Sequence, residues 1–218
     1  MQIGVQDFRA AEIQIENGKK TEFTQKVYSK KITVASNDVV FEEKLDMAQY
    51  NQNNRGNRTN LINTGNLEFT NSGKVKFNKD YAGTITTSKA NIGEVTFVNI
   101  PNTYEVGAVN KRIKKLTFMG NHVHNLRKNI YAAQVNFDAG TYNVHTNPVT
   151  INGNAKINGS TFDLKCDLIL NGDVEFSGNI TFNITGGYSV FFQHNLPSVI
   201  AGTNRCSFCR CSISIIYF

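Results

Sequence analysis

A repeat of about 20 residues in the middle of the chain most constrains how it can fold. Three segments share an apolar-x-Phe ending: IGEVTF (92–97), IKKLTF (113–118) and AAQVNF (132–137). Their apolar residues Val95, Leu116 and Val135 are 21 and 19 residues apart. Self-similarity at such a period is typical of solenoids, in which each unit must stack on its neighbours to bury its apolar face.

Short strands with alternating apolar and polar residues continue beyond Asp138. Because successive side chains of a strand point to opposite faces, Phe162, Leu164, Cys166, Leu168 and Leu170 are predicted to share the inner face. The predicted core comprises Val95, Phe97, Leu116, Phe118, Val135, Phe137, Phe162, Leu164, Leu168, Leu170, Val174, Phe176 and Phe182, together with Phe69 and Phe77.

Asparagine distinguishes between two architectures that fit this pattern. The chain has 29 asparagines and 17 glycines among 218 residues. Asn-Gly is a preferred hairpin turn, which would suit an antiparallel β-sandwich. Asparagine also tolerates the left-handed backbone of tight corners and can form side-chain ladders between stacked strands. We therefore predict an all-β, right-handed parallel β-helix with about three short strands per coil, and keep the antiparallel sandwich as the alternative.

The regularity of the apolar–polar alternation and the distribution of cysteines divide the chain into three segments. Residues 1–60 are predicted to be a less regular N-terminal β segment, in which the polar run at 50–60 is an exposed loop or bulge. Residues 61–190 are predicted to be the regular β-helix. Residues 191–218 hold three of the four cysteines and are predicted to lie outside the solenoid.

The formal net charge of +6 is spread along the chain, which has no run of 18 apolar residues that could span a membrane as a helix. The first residues lack the apolar segment of an export signal. The densest basic patch, which could bind acidic glycans, lipopolysaccharide or an acidic host surface by charge, consists of Lys111, Arg112, Lys114, Lys115, Arg127 and Lys128. Nucleic acid is not predicted as a partner, because Tyr131 alone gives little stacking surface.

Two groups of residues have the chemistry of metal ligands. Cys206, Cys209 and Cys211 have a zinc-compatible spacing, but structural zinc sites usually pair two such clusters, and Cys166 is the only other cysteine. His122 and His124 could form a pair on one face of a strand, and we interpret them instead as part of an exposed turn. No metal or other cofactor is predicted.

Carboxylates on the predicted outer face leave a catalytic alternative open. Asp163, Asp167, Asp173 and Glu175, with Lys165 among them, resemble the acids and bases that carbohydrate-active β-helix enzymes place in a groove. General acid-base catalysis needs such groups within hydrogen-bonding reach of one substrate. Because they are scattered among ordinary surface charges, no catalytic residue is predicted.

The segment NGDVEFSGNITFNIT (171–185), with the apolar-x-Phe repeats before it, resembles the passenger region of rickettsial surface cell antigens. These large outer-membrane autotransporters include the outer membrane proteins A and B, and the resemblance covers residues 30–186. It implies a non-enzymatic stalk or adhesin on a Gram-negative cell surface that contacts a host-cell protein or glycan.

The same resemblance implies that the segment belongs to a longer chain with an export signal and a translocating β-barrel. Neither is recognisable in these 218 residues. Together with the cysteine-rich tail, this leads to the alternative hypothesis of a non-functional fragment from a split gene.

Overall fold

Parallel pairing between segments about 20 residues apart determines the architecture. The computed structural model describes residues 2–16, 18, 20–35, 38–52 and 58–193, with side chains for all of these except 49–63. The described residues contain 22 strands and no helix. The strands form a parallel β-solenoid of about eight turns, which confirms the predicted all-β parallel β-helix over the antiparallel sandwich.

Three faces run along the solenoid, and most coils contribute one short strand to each. The first face contains β1 (Ile13–Ile15), β4 (Lys31–Val34), β9 (Asn66–Phe69), β12 (Thr84–Thr87), the starts of β17 (Ile130–Val144) and β18 (Val149–Leu164), β19 (Leu168–Asn171) and β22 (Val190–Phe192). The second contains β2 (Thr21–Phe23), β5 (Asp38–Phe41), β10 (Lys74–Phe77), β13 (Ile92–Phe97), β15 (Ile113–Phe118), the middles of β17 and β18, and β20 (Val174–Ser177). The third contains β3 (Val27–Tyr28), β6 (Leu45–Asp46), β11 (Tyr81–Ala82), β14 (Asn102–Thr103), β16 (Val123–Leu126), the ends of β17 and β18, and β21 (Thr181–Ile184).

The second face carries a column of phenylalanines along the solenoid axis. Strand register places one ring directly on the next from coil to coil, and ring centroids are 4.9 to 5.7 Å apart. The members of this Phe column are Phe23, Phe41, Phe77, Phe97, Phe118 and Phe137. Val95, Leu116 and Val135 form a parallel row beside it, as the 20-residue repeat predicts.

A second aromatic column lies on the third face, in the later coils. His124, Tyr142, Phe162 and Phe182 stack in turn, with centroid separations of 5.3, 5.0 and 5.2 Å. We call this set the mixed column. His124 is fully buried, so its interpretation as part of an exposed turn is wrong. It lies on β16 with its side chain pointing inward, because it alternates with the exposed Val123.

One antiparallel hairpin is inserted into the chain between two coils that stack directly on each other. Strands β7 (Ala48–Gln52) and β8 (Arg58–Thr64) pair with each other and with no coil. Elsewhere on the second face, paired residues are 18 to 21 apart in sequence, but Phe41 pairs with Phe77 across this insertion. Of the run at 50–60 predicted to be a loop or bulge, 50–52 and 58–60 belong to these two strands, while 53–57 lie outside the described residues. The parallel stack continues on both sides of the hairpin, from the bridge between Ile3 and Val27 to β22.

Asparagine has a different role at the corners from the one its backbone preference predicts. Among the described residues, Asn91 is the only asparagine with a positive φ, and glycines occupy most left-handed positions. The Asn-Gly pairs at 152–153 and 158–159 lie within β18, where the strand bends between faces without forming a hairpin. The predicted ladders are present: the side-chain amide of Asn143 donates to Asn125 (2.9 Å), and that of Asn171 donates to Asn152 (3.2 Å).

The interior matches the predicted core closely. All predicted core residues except Phe176 and Phe182 are at most 2 % exposed, and those two are half-buried against the same cluster. Burial of each large side chain contributes roughly 1.5–3 kcal/mol. Each coil therefore depends on its neighbours for stability, as in other repeat proteins. Of the predicted tail, β22 belongs to the stack, and residues 194–218 lie outside the described residues.

Candidate functional site

An open groove of about 470 Å³ lies on the first face, and it is one of several concavities among the described residues. It is lined by side chains from four successive coils and by backbone at their corners. The lining residues are Val109, Arg112, Tyr131, Asn152, Gly153, Asn154, Asn171, Gly172 and Asp173. We call this the Asn groove.

Strand register places the central residues of the Asn groove in one outward row. Ile130 and Ile151 point into the core, so that Tyr131 and Asn152, the residues after them, point outward. Asn171 continues the row on β19, in register with Asn152. Coil spacing is roughly 4.8 Å between paired strands. Three polar side chains therefore follow one another at regular intervals along the solenoid axis.

Glycine forms the floor of the groove. A Cβ atom on Gly153, which has φ +152°, would lie 1.7 Å from the carbonyl oxygen of Ala132. A Cβ atom on Gly172 would lie 2.4 Å from the carbonyl oxygen of Gly153. Only glycine permits coils to approach this closely. Backbone therefore lines the groove at these positions, and no side chain fills it.

A protruding turn closes one end of the Asn groove. Ala108 and Lys111 exchange backbone hydrogen bonds of 3.1 and 2.9 Å, which makes a tight turn between two coils. Val109 at its tip is 73 % exposed. The exposed Arg112 follows, and its backbone carbonyl accepts a hydrogen bond from the N–H of Asn91 (2.8 Å). Backbone bonding thus fixes the turn, and Arg112 contributes to the lining of the groove.

Hydrogen-bonding capacity remains unused in the groove. The side-chain amide of Asn171 donates to the Oδ1 atom of Asn152, and Oδ1 of Asn154 accepts the backbone N–H of Asp173 (3.2 Å). This leaves the Nδ2 atom of Asn152 and the Oδ1 atom of Asn171 without a partner among the described residues. Arg112 makes no ion pair with any described residue. The groove thus has donors and acceptors oriented by the ladder and open to solvent.

The structure distributes the predicted basic patch over two corners of one coil. Lys111 and Arg112 precede β15, whereas Arg127 and Lys128 follow β16. On β15, the ammonium group of Lys114 contacts the carboxylate of Glu94 at 2.6 Å. That hydrogen bond holds the pKa of Glu94 below its usual value. Of the six predicted residues, Arg112 alone lines the Asn groove; binding of an anionic partner by the patch remains a prediction.

The two histidines have different environments. The Nδ1 atom of His124 lies 2.9 Å from the carbonyl oxygen of Ile100, so Nδ1 carries the proton and donates. The Nε2 atom of His124 is buried and has no hydrogen-bond partner among the described residues. Burial lowers the pKa of His124, and the neighbouring His122 acts in the same direction. No group of three or more potential metal ligands occurs among the described residues.

The carboxylates considered for catalysis have separate partners. Asp163 accepts from the side-chain amide of Asn183 (2.6 Å), and Asp167 accepts the backbone N–H of Ser189 (2.9 Å). Glu175 pairs with Lys156 at 2.6 Å. Asp173 lines the Asn groove, and the other three carboxylates do not. Cys166 is a half-buried free thiol, while the other three cysteines lie outside the described residues.

No protein-family model, curated protein or solved structure matches this chain. Among the residues that the structure describes, no helix has the length and apolar character needed to cross a membrane.

Proposed function

We propose that this chain is a non-enzymatic segment of a surface-displayed bacterial stalk or adhesin, of the kind found in autotransporter passengers, and that it contacts host cells. The observation that carries the proposal is the continuous parallel stack of coils with a single apolar interior. Such a stack extends along one axis and presents its outer surface along that axis. Its core consists of the chain's own apolar side chains. These properties suit a spacer that presents contact surfaces at a distance.

The character of the outer surface supports the same proposal. Ion pairs such as Lys114–Glu94 and Lys156–Glu175, and ladders such as Asn143–Asn125, join the outer surfaces of neighbouring coils. A surface of this kind makes many weak, similar contacts, whose combined strength comes from multivalency. The rest of the longer protein, its outer-membrane location and a host-cell protein or glycan as partner belong to this proposal and follow from the sequence resemblance.

Cell adhesion is the direct test. Beads coated with the purified chain should bind cultured host cells in larger numbers than beads coated with an unrelated β-solenoid of similar length. Free chain added in excess should compete with the coated beads. Adhesion equal to that of the unrelated solenoid would contradict an adhesive role.

A carbohydrate-active enzyme is the competing function. It is tested by incubating the chain with acidic polysaccharides and measuring the release of reducing ends. We expect no release above buffer for the parent chain or for its Asp163→Asn and Asp167→Asn variants. If the parent chain releases reducing ends and either substitution abolishes that release, the chain is an enzyme and the proposed stalk function is contradicted.

A further inference from the structure

We infer that the Asn groove is a binding site for a short linear oligosaccharide that carries a carboxylated sugar at the Arg112 end. This inference names the ligand class of the contact surface and takes its biological setting from the proposed adhesive function. The chemistry of the groove carries it independently of cell adhesion.

The size and direction of the groove suit a linear chain of sugar rings. Its lining spans four coils, from Arg112 to Asp173, which is about 14 Å along the axis at roughly 4.8 Å per coil. Its volume of about 470 Å³ falls within the range of natural ligand sites. The groove is long and shallow, so it accommodates an extended ligand better than a compact one.

The lining chemistry matches sugars better than other ligands of that size. A pyranose ring has an apolar C–H face that packs on an aromatic ring, and half-buried Tyr131 provides one. Sugar hydroxyls both donate and accept hydrogen bonds. The unused Nδ2 of Asn152 offers a donor and the unused Oδ1 of Asn171 an acceptor. The ladder bond between the two asparagines fixes both groups before a ligand arrives.

Arg112 gives the ligand a direction. Its guanidinium group can bind a carboxylate through two parallel hydrogen bonds. Asp173, at the opposite end of the groove, would repel a carboxylate and accept hydrogen bonds from hydroxyl groups. A polyanion such as nucleic acid would instead require several cations along the groove, and an added β-strand would require a free strand edge.

Chemical-shift titration of the isotope-labelled chain tests the inference, with a linear trisaccharide of two galactose residues and one terminal galacturonic acid as the probe and the corresponding neutral galactose trisaccharide as its comparison. We expect shifts at Tyr131, Asn152 and Asn171 with the acidic probe. Arg112→Gln should weaken that binding ~10-fold, the size expected for loss of a charge-assisted hydrogen bond. Tyr131→Leu, which keeps apolar bulk but removes the flat ring, should weaken binding of both probes.

Lys165→Gln is the matched control, because Lys165 is an exposed cation in a turn that does not line the groove. It removes the same charge as Arg112→Gln and should leave the affinity unchanged. Equal losses of affinity in the two variants would show that the probe is attracted by overall charge, and would overturn the inference. Equal affinity for the two probes, or chemical-shift changes confined to other surfaces, would also overturn it. Binding of the probe without cell adhesion would support the oligosaccharide site and contradict the adhesive function. Cell adhesion without binding of the probe would support the adhesive function and contradict the oligosaccharide site.

Discussion

The Phe column and the mixed column show two ways of filling one solenoid interior. In the Phe column every ring is apolar, and in three of its contacts the two rings are nearly parallel, with interplanar angles of 8°, 10° and 5°. In the mixed column a histidine and a tyrosine occupy equivalent inward positions, at similar centroid separations. Coil spacing therefore sets the separation between successive rings, whereas the angle between their planes varies from 5° to 57°.

The two columns differ in what their polar atoms require. The hydroxyl group of Tyr142 donates to the carbonyl of Ala139 (3.1 Å), and Nδ1 of His124 donates to the carbonyl of Ile100. The Nε2 atom of His124 has no partner among the described residues. A buried polar atom without a partner costs free energy, whereas a phenylalanine has no such atom. The mixed column should therefore be less stable when one of its hydrogen bonds is lost or when its histidine is charged.

The largest effect is expected where the columns meet. Phe137 is fully buried and contacts Phe118, Tyr142 and Phe162. Phe137→Ala should lower the free energy of unfolding by about 3–5 kcal/mol, because it removes ring contacts and leaves a cavity. Urea denaturation followed by circular dichroism measures this. A loss below about 1 kcal/mol would show that the columns do not act as one core.

The next effect is a dependence on pH confined to the mixed column. Because burial lowers the pKa of His124, the unfolded chain binds its proton at a higher pH than the folded chain. The free energy of unfolding should therefore be highest above the unfolded histidine pKa of about 6.5 and should fall as the pH decreases toward the folded pKa of His124. The slope from one proton is at most about 1.4 kcal/mol per pH unit.

His124→Phe isolates this contribution. Thermal unfolding midpoints of the parent chain and the variant, measured between pH 7.5 and 5, should diverge as the parent loses stability. His145 is exposed and lies outside the mixed column, so His145→Gln is the control and should keep the parent slope. Identical pH profiles for the parent and His124→Phe would contradict the account.

A smaller effect is expected from Tyr142→Phe, which makes the mixed column more like the Phe column. The ring stays in place, but the carbonyl of Ala139 loses its hydrogen-bond donor. We expect a loss of about 0.5–1.5 kcal/mol, measured by urea denaturation. A gain in stability would mean that desolvation of the hydroxyl group outweighs its hydrogen bond.

The smallest effect is expected on the surface. Lys114 is 57 % exposed, and its pair with Glu94 lies in solvent. Lys114→Ala should change the free energy of unfolding by at most about 1 kcal/mol, the upper range for exposed pairs. It serves as the control for Phe137→Ala on the neighbouring strand. Equal losses in the two variants would refute the assignment of interior and surface.

Sequence predicted the interior better than the exterior, for a physical reason. Stacked coils require apolar residues at matching positions, so the rows at Val95, Leu116 and Val135 are visible as a repeat. The hairpin at 48–64 adds no apolar period to that repeat. Its polar sequence therefore looked like a loop, although β7 and β8 pair with each other.

Two residues of functional interest escaped prediction for different reasons. His124 had a signal: His-x-Leu at 124–126 matches Tyr-x-Val at 142–144 and Phe-x-Leu at 162–164 in register. Tyr131 had none. It reaches the Asn groove through a register shift between Tyr131 and Gln134, and spacing alone does not reveal such a bulge.

The hairpin leaves and rejoins the stack at nearly one point, since the N–H of Gly65 donates to the carbonyl oxygen of Met47 at 2.8 Å. Without residues 48–64, Phe41 and Phe77 would be separated by a length of chain like that between neighbouring coils. We therefore expect that the hairpin can be exchanged, lengthened or removed without changing the strand pairing of the coils on either side.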